Sequence, residues 1–216
     1  MKKLFFLVLA TFSLSLVAQD KITEGIIISK QTMTSESAEV KAQLEQMGDI
    51  TSKTYFKGKK SRTETSNPMT GDNIMIANGE TNEVLTLMDN MMGKVYMYQK
   101  VDADDERLKG IKVVAGDKTK TILGYECKQY IMTIDQEGIK MTMDIYTTEA
   151  IPVASQQMAQ LGADIKGFPL YMTITMNQMG VDVLVTTEVV EIKEEAVSED
   201  LFSLTPPEGY KEMPGQ

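Results

Sequence analysis

The chain has no histidine and no tryptophan, a single cysteine, and only 6% aromatic residues among 216. Each absence removes a class of chemistry. Without imidazole there is no Ser-His or Cys-His nucleophile pair, no histidine acid-base catalyst and almost no familiar zinc site. Without tryptophan, a carboxylate pair of the glycosidase kind lacks the aromatic platforms that such sites lean on. No glycine-rich loop of the phosphate-cradling kind occurs. The lone Cys127 cannot form an internal disulfide, so the core alone must hold the fold, and the residue reads as a small buried apolar group on a strand. Cations are also in deficit, with 22 Lys and Arg against 31 Asp and Glu and a formal net charge of −9, which disfavours nucleic acid and anionic lipid surfaces as partners. These absences predict a protein with no catalytic apparatus, no metal site and no cofactor.

What is present begins with Met1-Lys2-Lys3, an apolar run from Leu4 to Val17, and then Ala18-Gln19-Asp20. Charged, apolar and small-residue regions in that order are those of a secretory signal, and the run is shorter than the roughly 20 residues that a membrane-spanning helix needs. We expect a signal peptide over residues 1–18, cut after Ala18, with the bulky Leu16 at the third position before the cut allowing a slip of a residue or two. Residues 19–216 are expected to form one domain, exported to the periplasm or the medium. No cysteine follows the apolar run, which argues against an N-terminal lipid anchor, and no second segment of the sequence is suited to spanning a bilayer.

From residue 24 the sequence is a series of short segments rich in Ile, Val, Thr, Met and Tyr, punctuated by Gly or Asn about every ten residues. Strands are predicted at 25–32, 50–57, 59–66, 72–77, 81–88, 94–99, 119–123, 125–135, 140–147, 168–176 and 181–193, ten or eleven in all. Asn78-Gly79 reads as a hairpin turn. In Lys140–Thr147, Met141, Met143 and Ile145 alternate with Thr142 and Asp144, the period of two that a half-buried strand requires. Two segments break the pattern. Ser35–Met47 places Val40, Leu44 and Met47 at helical spacing with Gly48 beyond, and Pro152–Leu161 does the same with Ala154, Met158 and Leu161 and a stop at Gly162. Several strands carry apolar residues on both faces: Val84, Leu85, Leu87 and Met88, then Val95 to Tyr98, then Tyr130, Ile131, Met132 and Ile134. A half-solvated meander does not need both. A curved antiparallel sheet with the short helices as a lid accounts for the doubling, and so does a closed barrel or sandwich.

The acidic run Asp102–Glu106 lacks the alternating spacing, turn glycine and closing Glu of a calcium loop, and reads as a solvated connection. Methionine is abundant, at 17 residues. Soft thioethers could hold Cu(I), but no His or second Cys supports them, and Met141, Met143, Met172 and Met176 follow regular strand alternation. So much methionine suits either a filled core or a pliable apolar surface that moulds to irregular ligands.

Tyr55-Phe56-Lys57-Gly58-Lys59-Lys60-Ser61-Arg62, Val84 to Asp89, Lys94-Val95-Tyr96 and Ile122-Leu123-Gly124-Tyr125-Glu126-Cys127-Lys128-Gln129-Tyr130 resemble the exported proteins of Bacteroidetes called DUF4412. Together with the closing Asp200-Leu201-Phe202-Ser203-Leu204-Thr205-Pro206-Pro207-Glu208-Gly209-Tyr210, these pieces are distantly similar to the LolA and LolB lipoprotein carriers. The resemblance implies an incomplete, strongly curved antiparallel barrel with a helical lid, whose apolar cavity in the carriers receives acyl chains. It carries no residue role onto this chain, and fold transfers along such a likeness better than function does.

The expectation is a mainly β protein with minor helix, serving as a binding or carrier module for a lipid or acyl chain. The alternative is an envelope interaction protein that holds a protein partner through an apolar patch or a sheet edge. The residues expected on the core or pocket side are Leu85, Leu87, Met97, Met143, Met172 and Ile174, faced by Val40, Leu44, Met158 and Leu161 from the lid.

Overall fold

The computed structural model describes residues 21–67, 71–91, 93–100, 110–136, 139–153, 165–178 and 180–213. They form β1 (Glu24–Ser35), α1 (Ala38–Met47), β2 (Ile50–Lys57), β3 (Lys60–Asn67), β4 (Gly71–Asn78), β5 (Glu83–Asn90), β6 (Gly93–Lys100), β7 (Ile111–Ile122), β8 (Tyr125–Gln136), β9 (Ile139–Thr148), β10 (Phe168–Gln178), β11 (Val181–Lys193), a short 3-10 turn at Glu199–Phe202 and β12 (Lys211–Glu212). All twelve strands belong to one sheet, ordered β12-β6-β5-β4-β3-β2-β1-β11-β10-β9-β8-β7. Two antiparallel meanders, β1 to β6 and β7 to β11, are zipped together where β1 pairs with β11 from Ile26↔Lys193 to Ser35↔Val183. Only the two-residue β12 runs parallel to its neighbour.

The turns follow from backbone chemistry. Ile122 pairs with Tyr125 across Leu123 (φ 49°) and Gly124 (φ 85°), a two-residue turn with both central residues left-handed that suits the twist of the flanking strands. The Asn78-Gly79 hairpin exists, but as a four-residue loop, with Asn78 opposite Glu83. Asn78 Oδ1 accepts the Glu80 N–H at 2.9 Å, Gly79 donates its own N–H to Lys59 O at 3.0 Å, and the left-handed residue is Asn82. The side chain thus builds an Asx turn in place of the tighter one expected. β7 starts eight residues earlier than the sequence suggested, its first half being masked by Gly116-Asp117-Lys118 and a bulge between Ala115 and Thr119.

The first predicted helix forms but begins at Ala38, because Ser35 closes β1 and donates its hydroxyl to Asp182 O at 2.6 Å. α1 lies against β1 with no residue fully buried. The second predicted helix falls largely on residues 154–164, outside the described residues, and Pro152 itself is not helical.

Directly paired residues of an antiparallel ladder point to the same side of the sheet, so the registers define its two faces. One face carries Ser29, Ser52, Thr54, Thr63, Thr65, Met75 and Thr86 in the first meander and Met132, Met143, Ile145, Met172 and Ile174 in the second. Met75 of β4 and Met172 of β10 line one cavity on this face, although five strand spacings, about 24 Å in a flat sheet, separate their strands. The sheet is therefore strongly curved, unclosed, and concave on this side.

Among the described residues, three clusters of buried side chains stand out. Where the meanders meet, Ile27, Phe56, Cys127, Tyr146, Ile151, Val153, Leu170 and Val189 pack together. Gly25 permits this junction: a Cβ there would stand 2.2 Å from Lys193 O, with Phe56 just beyond. Met132, Ile134, Ile145 and Met172 form a second cluster with Ile165 against it. The third is Ile76, Leu85 and Leu87 on the convex face, packed with Leu204 and Tyr210 from the chain beyond β11. That closing segment runs over the outside of the first meander. Val197 N donates to Glu24 Oε2, which also pairs with Lys57 at 3.1 Å, and Lys57 Nζ reaches Val197 O. Farther on, Lys60 pairs with Glu199, and Met213 N donates to Tyr96 O at 2.8 Å.

Candidate functional site

The concave face holds a cavity of about 360 Å³, within the roughly 300–1,000 Å³ range of small-molecule sites. Its floor comes from alternate residues of four adjacent strands: Ser29 and Gln31 of β1, Ile50, Ser52 and Thr54 of β2, Ser61, Thr63 and Thr65 of β3, and Asn73 and Met75 of β4. The opposite wall is Phe168, Pro169, Tyr171, Met172 and Thr187 from β10 and β11. The curvature supplies the enclosure and the pleat supplies the side chains, since a period of two sends every second residue inward.

Among the described residues, none that lines this cavity is charged. The charges of β2 and β3 occupy the other set of alternate positions and satisfy one another outside: Arg62 Nε donates to Glu64 Oε1 at 2.7 Å, and the Lys53 ammonium sits 4.5 Å above the Tyr55 ring. The hydrogen bond with Tyr55 raises the Lys53 pKa above its ordinary value. Inside, Thr54 Oγ1 and Thr63 Oγ1 stand 2.9 Å apart as a cross-strand pair. Such a pair uses one donor and one acceptor and leaves one donor and several lone pairs for a ligand.

No family model matches the chain, and no curated protein is detectably similar to it. Among the described residues no group of three or more metal-binding side chains comes together, and no helix is long and apolar enough to cross a membrane.

The residues expected from the sequence divide. Met172 lines the cavity directly. Met97, Met143 and Ile174 share its face of the sheet, Met143 packed against the Met132 cluster. Leu85 and Leu87 are almost fully buried but on the convex face, beneath Leu204 and Tyr210. Val40 and Leu44 are half-buried on α1, while Met158 and Leu161 lie outside the described residues, as does the acidic run 102–106. The hydroxyl floor was missed. The sequence carried half of its signal: in Lys53-Thr54-Tyr55 and Arg62-Thr63-Glu64 the small hydroxyls alternate with charged or large residues, which separates two faces without naming the inner one.

A second hollow of about 460 Å³ lies beside Lys21, Glu126, Lys128, Tyr130 and Glu149. Lys128 pairs with Glu149 at 3.4 Å there, and the hollow's two cations and two carboxylates balance. Cys127 is fully buried beside it in sequence, and burial pushes its thiol pKa up to about 11, the opposite of a reactive cysteine.

Proposed function

We propose that this protein is an exported, non-catalytic binding or carrier module whose concave face receives a hydrophobic ligand such as a lipid or acyl chain. One observation carries the reading: in a chain with 25% charged residues, none of the described residues that line the cavity is charged. A solvent-reachable concavity with such a lining suits an apolar guest, because a guest that buries apolar area there gains roughly 25 cal/mol per Å². Pliable methionines beside the cavity suit a guest of irregular shape. The leader-like residues 1–18 support export. The resemblance to lipoprotein carriers is consistent with an acyl guest.

The test is native mass spectrometry with lipid extraction on protein purified from a bacterial envelope without detergent. A reproducible adduct of defined mass, whose addition to stripped protein raises the melting temperature, is the expected result. A clean apo mass, together with no thermal response to N-phenyl-1-naphthylamine, would overturn the reading.

A second reading, an interaction protein, draws on β7. It ends the sheet with no strand on its outer side among the described residues, and it exposes Val114. Its bulge and the lysines 112, 118 and 120 are features that blunt an edge against pairing. Recovery of one stoichiometric protein with the native chain, lost in a Val114→Lys variant, would favour this reading over the first.

A further inference from the structure

We propose that the guest's polar end is uncharged and hydroxyl-bearing, of the monoacylglycerol or alkyl-glycoside class, and that it sits on the hydroxyl floor of β1 to β3. The inference rests on the concave face being the ligand site and adds which amphiphile it takes.

Three features of the cavity point this way. The registers set Ser29 opposite Ser52 and Ser52 opposite Thr65, with Thr54 opposite Thr63 one step along, so hydroxyls form a grid across three strands. Each hydroxyl both donates and accepts, which matches a partner whose groups do the same. Phe168 and Met172 on the opposite wall, with Ile50 and Met75 flanking the hydroxyls on the floor, offer apolar surface for the guest's chain. Finally, among the described residues no lysine or arginine lines the cavity to receive a carboxylate or phosphate, and no acid lines it to receive an ammonium group. A charge placed there is desolvated without a counter-charge, a cost that neutral hydrogen bonds do not return. A hydroxylated head group loses little, because each hydrogen bond it leaves in water is remade on the floor.

The experiment compares four ten-carbon amphiphiles below their micellar concentrations by calorimetry on the full folded chain: monodecanoylglycerol, decyl glucoside, decanoate and decyltrimethylammonium. The two neutral compounds are expected to bind at least about tenfold more tightly than either ion. A Thr54→Val/Thr63→Val variant, which keeps side-chain shape, should bind monodecanoylglycerol about tenfold more weakly while its affinity for N-phenyl-1-naphthylamine stays unchanged. Thr63→Lys should instead gain affinity for decanoate. The inference is overturned if decanoate or the ammonium compound binds as tightly as the glyceride, a comparison that needs no variant, or if the folded double variant binds the glyceride normally. Failure of all four amphiphiles and of the naphthylamine would remove the carrier reading along with it, whereas naphthylamine binding without head-group preference would remove only this one.

Discussion

Two regions of the sheet gather an apolar cluster on opposite faces. In β8 to β10 the apolar set, Met132, Ile145 and Met172, points to the concave side. In β4 and β5 the apolar cluster is Ile76, Leu85 and Leu87, which points to the convex side under the closing segment, while Ala77 and Val84 are buried on the concave side. Between that convex cluster and the junction of the meanders, where Ile27 and Phe56 are buried on the concave side, β2 and β3 present hydroxyls inward. A curved sheet does not have to hide its concave face. It has to hide one face of each strand, and which one depends on what else the chain supplies as cover.

The largest test of this inversion is removal of the closing segment from residue 194 onward. It strips Phe202, Leu204 and Tyr210 from the convex side, an apolar loss on the order of 5 kcal/mol. Amide exchange should accelerate in β4 to β6 first, leaving β8 to β10 protected. Uniform acceleration would mean that the halves do not differ as described.

A smaller effect separates inside from outside within each half. Leu85→Ala and Ile145→Ala, each fully buried, should both cost about 3 kcal/mol in urea unfolding, although their side chains point to opposite faces. Ser52→Ala, on the concave face like Ile145, should cost less than about 0.5 kcal/mol. If the serine change cost as much as the isoleucine change, the concave face of the first meander would be a packed core and the comparison would fail.

The seam between the halves titrates. Cys127 is protonated in the fold, with its pKa pushed by burial from 9.0 to about 11, so the unfolded chain loses this proton first. The stability it contributes is complete below pH 9 and is lost as pH rises from 9 toward 11. Unfolding midpoints of the wild type should therefore fall more steeply across that window than those of Cys127→Ala. Parallel curves would show that the thiol is not enclosed where the meanders join.

Strand positions were largely legible because a period of two survives in the sequence wherever one face is buried, as in Met141-Thr142-Met143-Asp144-Ile145. Alternation names two faces without saying which of them is inside. For Leu85 and Leu87 the answer lies in Leu204 and Tyr210, over a hundred residues away and in a stretch without periodicity, so nothing local could assign it. The same limit hid the hydroxyl floor: Ser52, Thr54 and Thr63 look like solvent-facing strand positions until the curvature of the sheet encloses them. The start of α1 was misplaced because Ser35 carries an ordinary cap residue's side chain but spends it on Asp182 O across the sheet.

Strands β6 and β7 stand on opposite flanks of the sheet, ten spacings apart, yet they follow each other along the chain with only residues 101–110 between them. Laid flat, the flanks would be about 48 Å apart, whereas the eleven steps from Lys100 to Ile111 reach at most about 40 Å. The covalent connection is thus too short for a flat sheet. It forbids the sheet from ever flattening, and it sets a ceiling of about 40 Å on how far the facing ends of β6 and β7 can part.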